Sequence, residues 1–162
     1  MVATQRNRII ALWQPRSFVG LMMLYESNYL RLKRLLGGIV PVPGESLVSR
    51  VPGDLALHLD GMERSRYTTT FRLTYWFDGE LADPDLIVRL YHDANLVEAM
   101  QCGHQHRHRL LRRFPTDHGG ELERRWMRNL MLNKWLEYCH ERGHRFGPVR
   151  LSAQEPMDAG LR

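Results

Sequence analysis

The sequence predicts an α+β fold: an N-terminal helix, an antiparallel sheet of about five strands, and a C-terminal helix. Three observations carry that expectation. Apolar residues recur at three- and four-residue intervals from Pro15 to Leu36, and again from about Gly120 to Arg142. A two-residue alternation runs from about Arg66 to Phe77. The run from Val88 to Ala99 reads as two apolar strands folded about a polar turn.

In the first helix, Phe18, Leu21, Met22, Tyr25, Tyr29, Leu32 and Leu36 form one stripe. Ser17 caps it if Pro15 and Arg16 lie outside, and Arg31, Lys33 and Arg34 suit the negative end of its dipole. Gly37-Gly38 stops it, because glycine enters the left-handed cap conformation cheaply. Pro41, Pro43 and Gly44 mark a loop. A strand from Leu47 to Val51 and a Pro52-Gly53 turn lead to a second strand, where Leu55, Leu57 and Leu59 alternate with Ala56, His58 and Asp60. In the third strand, Tyr67, Thr69, Phe71, Leu73, Tyr75 and Phe77 take one face. Arg66, Thr68, Thr70, Arg72, Thr74 and Trp76 take the other, the pattern of a half-buried antiparallel strand. Asp78-Gly79 and Asp83-Pro84 punctuate the connection that follows.

The hairpin has a two-residue turn at Asp93-Ala94 or a four-residue turn from His92 to Asn95, and both give one pairing. Leu90 opposes Val97 and Val88 opposes Ala99 on the inner face. Arg89 opposes Glu98 as a cross-strand ion pair on the outer face, with Tyr91 opposite Leu96 beside it. A one-residue slip would exchange the faces, so the apolar pattern holds the register. In the second helix, Leu122, Trp126, Met127, Leu130, Met131, Trp135, Leu136, Tyr138 and Cys139 form a broad stripe. Thr116 or Asp117 are its candidate caps, Glu121 and Glu123 suit its positive end, and Gly143 is its stop. Residues 1–14 lack periodicity and are expected to form a flexible arm, and 147–162 an irregular tail. That leaves a single domain over residues 15–146.

Several strings resemble the YqiB-like family of bacterial proteins, a domain of unknown function. They are Asn28 to Leu36, Arg66-Tyr67-Thr68-Thr69, Val88 to Ala94, and Asn133 to Cys139. The resemblance spans roughly residues 17–148. It implies membership in a small cytoplasmic family with no assigned reaction, cofactor or catalytic residues.

With 43% hydrophobic and 25% charged residues, the chain is expected to build a packed core. No apolar run approaches the roughly 20 residues that cross a bilayer, so no membrane insertion is expected. The N-terminus lacks the apolar length and small-residue cleavage site of a secretory signal, and two cysteines make no disulfide framework. The expected location is the cytoplasm. The net charge of +5 is concentrated. Between His104 and Arg128, the basic patch Arg107, Arg109, Arg112, Arg113, Arg124, Arg125 and Arg128 faces Asp117, Glu121 and Glu123. Such a patch attracts nucleic acid, anionic lipid or an acidic protein partner.

Four constellations are candidate sites. Cys102, His104, His106 and His108 would share one face if their strand continued, with His118, Cys139, His140 and His144 as further ligands. The spacing matches no structural zinc pattern and arginines interleave it, so no metal is expected. Tyr91-His92-Asp93 offers a histidine beside a carboxylate, yet adjacent strand residues point apart and Asp93 suits a turn. The polar sheet face bearing Arg66, Thr68, Thr70, Arg72 and Arg89 offers guanidinium forks and hydroxyls to an anion. The Arg-rich segment interleaves Phe114 and Trp126, as nucleic-acid surfaces do, without a recognition motif. No phosphate-binding glycine loop, dinucleotide fingerprint or nucleophile elbow appears, and no cofactor is expected. The reading is a non-enzymatic protein-interaction or regulatory module with an acidic protein partner. The alternative is a nucleic-acid-binding protein using residues 107–128.

Overall fold

A computed structural model describes residues 17–77, 79–103 and 120–147. The expected arm, the basic residues Arg107, Arg109, Arg112 and Arg113, the histidines His104, His106, His108 and His118, and the tail beyond Gly147 lie outside the described residues. So do Thr116 and Asp117.

Helix α1 (Phe18–Leu36) starts and stops where the local chemistry dictates. The Gly20 amide donates to Ser17 Oγ at 3.0 Å. At the other end Gly37 turns left-handed, with φ of 60°, and donates its N–H to the Lys33 carbonyl. Five strands follow as an antiparallel meander in sequence order: β1 (Ser46–Ser49), β2 (Leu57–Arg64), β3 (Thr68–Phe77), β4 (Leu81–Tyr91) and β5 (Leu96–Cys102). Helix α2 (Glu121–Glu141) completes the described fold. This is the α+β arrangement expected.

The β4–β5 hairpin has the anticipated register, with Val88 opposite Ala99, Arg89 opposite Glu98, Leu90 opposite Val97 and Tyr91 opposite Leu96. Its turn is the four-residue form from His92 to Asn95, with Asn95 at φ 55° and Asp93 Oδ1 accepting from the Ala94 amide. Inner-face side chains of four strands meet both helices in one core. Leu57, Leu59, Phe71, Leu73, Leu86, Val88, Val97 and Ala99 pack against Leu32 and Leu35 of α1 and Leu132 and Leu136 of α2. Each large side chain so buried contributes about 1.5–3 kcal/mol. Both helices therefore cover the same face, and no described element covers the other.

Several boundaries differ from expectation, each for a local reason. Strand β3 starts at Thr68, so Arg66 and Tyr67 sit in the β2–β3 turn rather than on the sheet face. The Ser65 amide donates to the Thr68 carbonyl at 2.9 Å, and the Thr68 amide returns to Ser65 Oγ. Strand β4 runs through Asp83-Pro84, which reads as a break. The register shifts there between Thr74 and Trp76 of β3, so the proline falls where the ladder is already interrupted. The cap of α2 is Gly120, without a side-chain bond. The two helical stripes also differ from the apolar count: Phe18, Leu122 and Tyr138 are exposed, whereas Asn28, Asn129 and Asn133 are buried.

Candidate functional site

On the uncovered sheet face, Thr70, Arg72 and Arg89 come together as the alternation predicts, but with carboxylates among them. Arg72 donates to Asp85 through Nε and Nη2, both at 2.6 Å, a bidentate pair across β3 and β4. That hydrogen bond, with Asp60 also nearby, raises the guanidinium above its ordinary range. Arg89 donates to Thr70 Oγ1 at 3.1 Å and reaches Glu63 at 4.0 Å. The expected Arg89–Glu98 ion pair does not form. Glu98 instead accepts from the Tyr91 hydroxyl at 2.8 Å, because Tyr91 shares its face and is long enough to span to it. Burial and that carboxylate raise the Tyr91 phenol. Two arginines thus stand among Asp60, Glu63, Asp85 and Glu98, and the face has no surplus of positive charge. Arg66 lies apart, its guanidinium over the Tyr67 ring, and Thr68 pairs with Ser65.

Tyr91 and His92 diverge as expected. His92 turns to the helix side, where its Nε2 lies 2.8 Å from Thr69 Oγ1 and its amide donates to the Tyr67 carbonyl. Asp93 stays in the turn, so the three residues form no catalytic set. The described part of the basic patch is also engaged. Arg124, Arg125 and Arg128 all contact Glu121 at the start of α2, at 3.2, 2.9 and 3.6 Å.

Arg50, Arg64 and Arg66 also lack a described carboxylate partner, but another set of such cations converges on one place. Lys33 and Arg34 from the last turn of α1, His140 from α2, and Arg145 just beyond α2 line a cavity of about 610 Å³. Gly37, Gly38, Gly143 and His144 complete its wall. Chain geometry brings these residues together. Gly143, at φ 89°, turns the chain back after α2, and the Phe146 amide then donates to the Leu35 carbonyl at 2.9 Å. Arg145 so packs over Gly37, where an added Cβ would fall 2.7 Å from its Nε. Both helices end at this cavity, and each C-terminus carries roughly half a negative charge. Three cationic side chains outweigh two such ends, so the cavity is positive on balance. Among the described residues no carboxylate lies within ion-pair distance of Lys33, Arg34 or Arg145.

Behind the cavity wall lies a buried polar network. His144 Nδ1 is 3.1 Å from Ser49 Oγ, and its Nε2 is 2.6 Å from the Tyr75 hydroxyl and 3.6 Å from Asp54 Oδ2. Arg142 Nε donates to Asp54 at 3.0 Å, and the Tyr75 and Tyr138 hydroxyls donate to it at 3.4 Å. Burial pushes the His144 imidazole below its ordinary range, against the pull of Asp54. Burial works to raise Asp54 as well, but the Leu55 amide and the Arg142 guanidinium outweigh it and hold the carboxyl low. Burial pushes the Cys139 thiol up to about 12 and the Cys102 thiol up to about 11, so neither is poised as a thiolate nucleophile. Ser49 is itself buried and accepts from the Arg145 amide at 3.0 Å, so its hydroxyl serves the fold.

Sequence reasoning reached Lys33 and Arg34 as complements to a helix dipole and as part of a family string, and His140 and His144 only as metal ligands. It reached Tyr75 only as a strand residue, and Arg145 and Asp54 not at all. No spacing signal links positions so far apart in the chain. Among the described residues, no group of three or more His, Cys, Asp or Glu could hold a metal ion, and no helix is long and apolar enough to cross a membrane.

Two helices lie on one face of a five-stranded antiparallel meander, an α+β fold. A family described as "Protein of unknown function (DUF1249)" matches residues 31–145, and the chain belongs to that family. It is similar to the "Uncharacterized protein YqiB" of Escherichia coli strain K12, at 30% identity over 139 residues, covering 82% of this chain and 94% of that relative. The same protein of Escherichia coli O157:H7 matches to the same extent. No solved structure matches the chain.

Proposed function

We propose that this protein is a non-enzymatic interaction module that takes an acidic segment of a partner protein into the basic cavity at the ends of α1 and α2. One observation carries the reading: Lys33, Arg34 and Arg145 converge on one 610 Å³ cavity with no described carboxylate paired to them. Elsewhere in the described chain, Arg72, Arg89, Arg124, Arg125 and Arg128 have carboxylate partners, and Arg50, Arg64 and Arg66, which have none, line neither cavity. A cation already paired gains little from a second carboxylate, whereas an unpaired one in a concave site attracts and orients an incoming anion. The diverging Tyr91 and His92 side chains and the protonated thiols supply no reacting group, which favours recognition over catalysis.

The test is fluorescence anisotropy with a labelled nonapeptide of glutamate. The intact chain is expected to bind it with an affinity that falls as salt rises. Replacing Arg34 and Arg145 together with alanine should weaken binding by about fivefold or more, since each rim charge contributes up to about 1 kcal/mol. Arg72→Ala, on the opposite face, should leave binding unchanged. Equal affinity for a glutamine nonapeptide, or binding indifferent to the cavity variants, would refute the reading. Tighter binding of an oligothymidine strand, lost when Arg124 and Arg125 become alanine, would transfer the function to nucleic acid.

A further inference from the structure

A second cavity adjoins the basic one and shares Lys33 and Gly38 with it. It measures about 200 Å³, and its walls are apolar, chiefly Leu32, Leu36, Ile39, Val40 and Leu90 with the Tyr29 ring. Both cavities border the start of the segment that follows α1, at Gly38. In the apolar one, Ile39 and Val40 are half-buried and Gly38 is exposed, whereas Leu32 and Leu36 are buried. Its polar groups are His92 and Lys33. Lys33 has no described carboxylate partner, and its ammonium stands 6.0 Å from the Tyr29 ring centroid.

We propose that the two cavities form one bipartite site for a peptide segment that combines acidic residues with a single aliphatic side chain. The aliphatic side chain would fill the apolar cavity, and the flanking carboxylates would meet Lys33, Arg34 and Arg145. This rests on the basic cavity's being a partner-binding site and adds the partner's sequence character to it. Charge complementarity selects an anionic occupant, and the shared Lys33 requires the acidic and apolar parts to be adjacent. Volume selects the kind of apolar part. A space of about 200 Å³ lies below the roughly 300–1,000 Å³ of sites that enclose whole small molecules. It suits one side chain rather than an acyl tail.

The experiment extends the glutamate nonapeptide to a set in which one leucine is placed at each position in turn. At one or more positions the leucine should tighten binding about fivefold over the all-glutamate probe, as expected for partial burial of one aliphatic side chain. Ile39→Ser should abolish that gain while leaving all-glutamate binding intact. Val40→Ser serves as the second test of the groove should Ile39→Ser fail to fold by circular dichroism. Binding of the all-glutamate peptide with no gain from leucine at any position would overturn the bipartite site and leave the basic cavity standing. Failure of both probes would overturn both. A gain from leucine undiminished in the folded groove variants would place the aliphatic contact elsewhere and overturn the assignment. Laurate displacing the labelled peptide more effectively than the unlabelled leucine peptide does would reassign the groove to a lipid and overturn the peptide.

Discussion

Gly61 occupies a position that no other residue could share without moving the backbone. A Cβ there would collide with the Val42 carbonyl group, because the loop before β1 crosses directly over β2. The Gly44 amide donates to the Gly61 carbonyl at 2.9 Å, and the Gly61 amide donates to the Glu45 carbonyl at 2.8 Å, so the two segments are bonded at the crossing. The β2 register also shifts here, between Gly61 and Glu63. Gly61→Ala is expected to destabilise the protein by about 3 kcal/mol, the upper end of the usual range for forced steric strain. Gly53→Ala is the contrast. It has φ of 76° but open space around it, so only the left-handed conformation opposes the methyl group, at about 1 kcal/mol. Urea unfolding of the two variants separates these costs. The sequence marks Gly53 as part of a Pro-Gly turn but gives no sign of the crossing at Gly61, which is a tertiary contact.

The helix pair is fixed to the sheet by amides as well as by apolar packing. Asn129 of α2 accepts from the Ala99 amide of β5 at 2.7 Å and donates to the Arg125 carbonyl at 2.8 Å. Asn28 of α1 donates to Asn129, and Asn133 donates both to Asn28 Oδ1 at 3.0 Å and to Ser27 Oγ at 2.9 Å. The three asparagines are buried, so each bond replaces one that water would otherwise make. Asn129→Ala leaves the Ala99 N–H without a partner in the interior, and the expected loss is about 2–3 kcal/mol. Hydrogen exchange at the Ala99 amide should accelerate relative to its β5 neighbours. Unchanged stability together with unchanged exchange would show that the bond carries no weight. Counting apolar residues located both helices but rotated their buried faces, because the rule admits no asparagine. Leu122 and Tyr138 belong to the apolar stripe yet lie outward, while Asn129 and Asn133 hold the interface.

Across the molecule, His144 joins parts of the chain that have nothing local in common: β1 through Ser49, β3 through Tyr75, the β1–β2 loop through Asp54, and the chain just past α2. Burial keeps its folded pKa below the ordinary 6.5, so the unfolded chain takes up the proton first as pH falls. Its contribution is therefore complete above about pH 6.5 and is lost as pH drops through and below that value. His144→Gln should lower stability at neutral pH by breaking the network, yet flatten its dependence between about pH 5 and 7. Chemical unfolding at several pH values reads both effects, and an equally steep profile in the variant would assign the acid sensitivity to other groups.

Periodicity made the run of strands, the hairpin register and the two helix spans legible, because those features depend on side chains a few residues apart. Ser17, Gly37 and Gly143 act within one turn of chain, and their roles were readable for the same reason. The partner of each arginine was not. Arg89 and Glu98 are opposite in register, but Tyr91 takes Glu98, and Glu63 approaches Arg89 only because the β2 ladder shifts beside it. The basic cavity and the histidine network needed the full fold, since Lys33, Arg34, Asp54, Tyr75 and His144 come from segments with no common spacing. Only the packing of both helices on one side of the sheet brings their ends, and the charges there, to a single place.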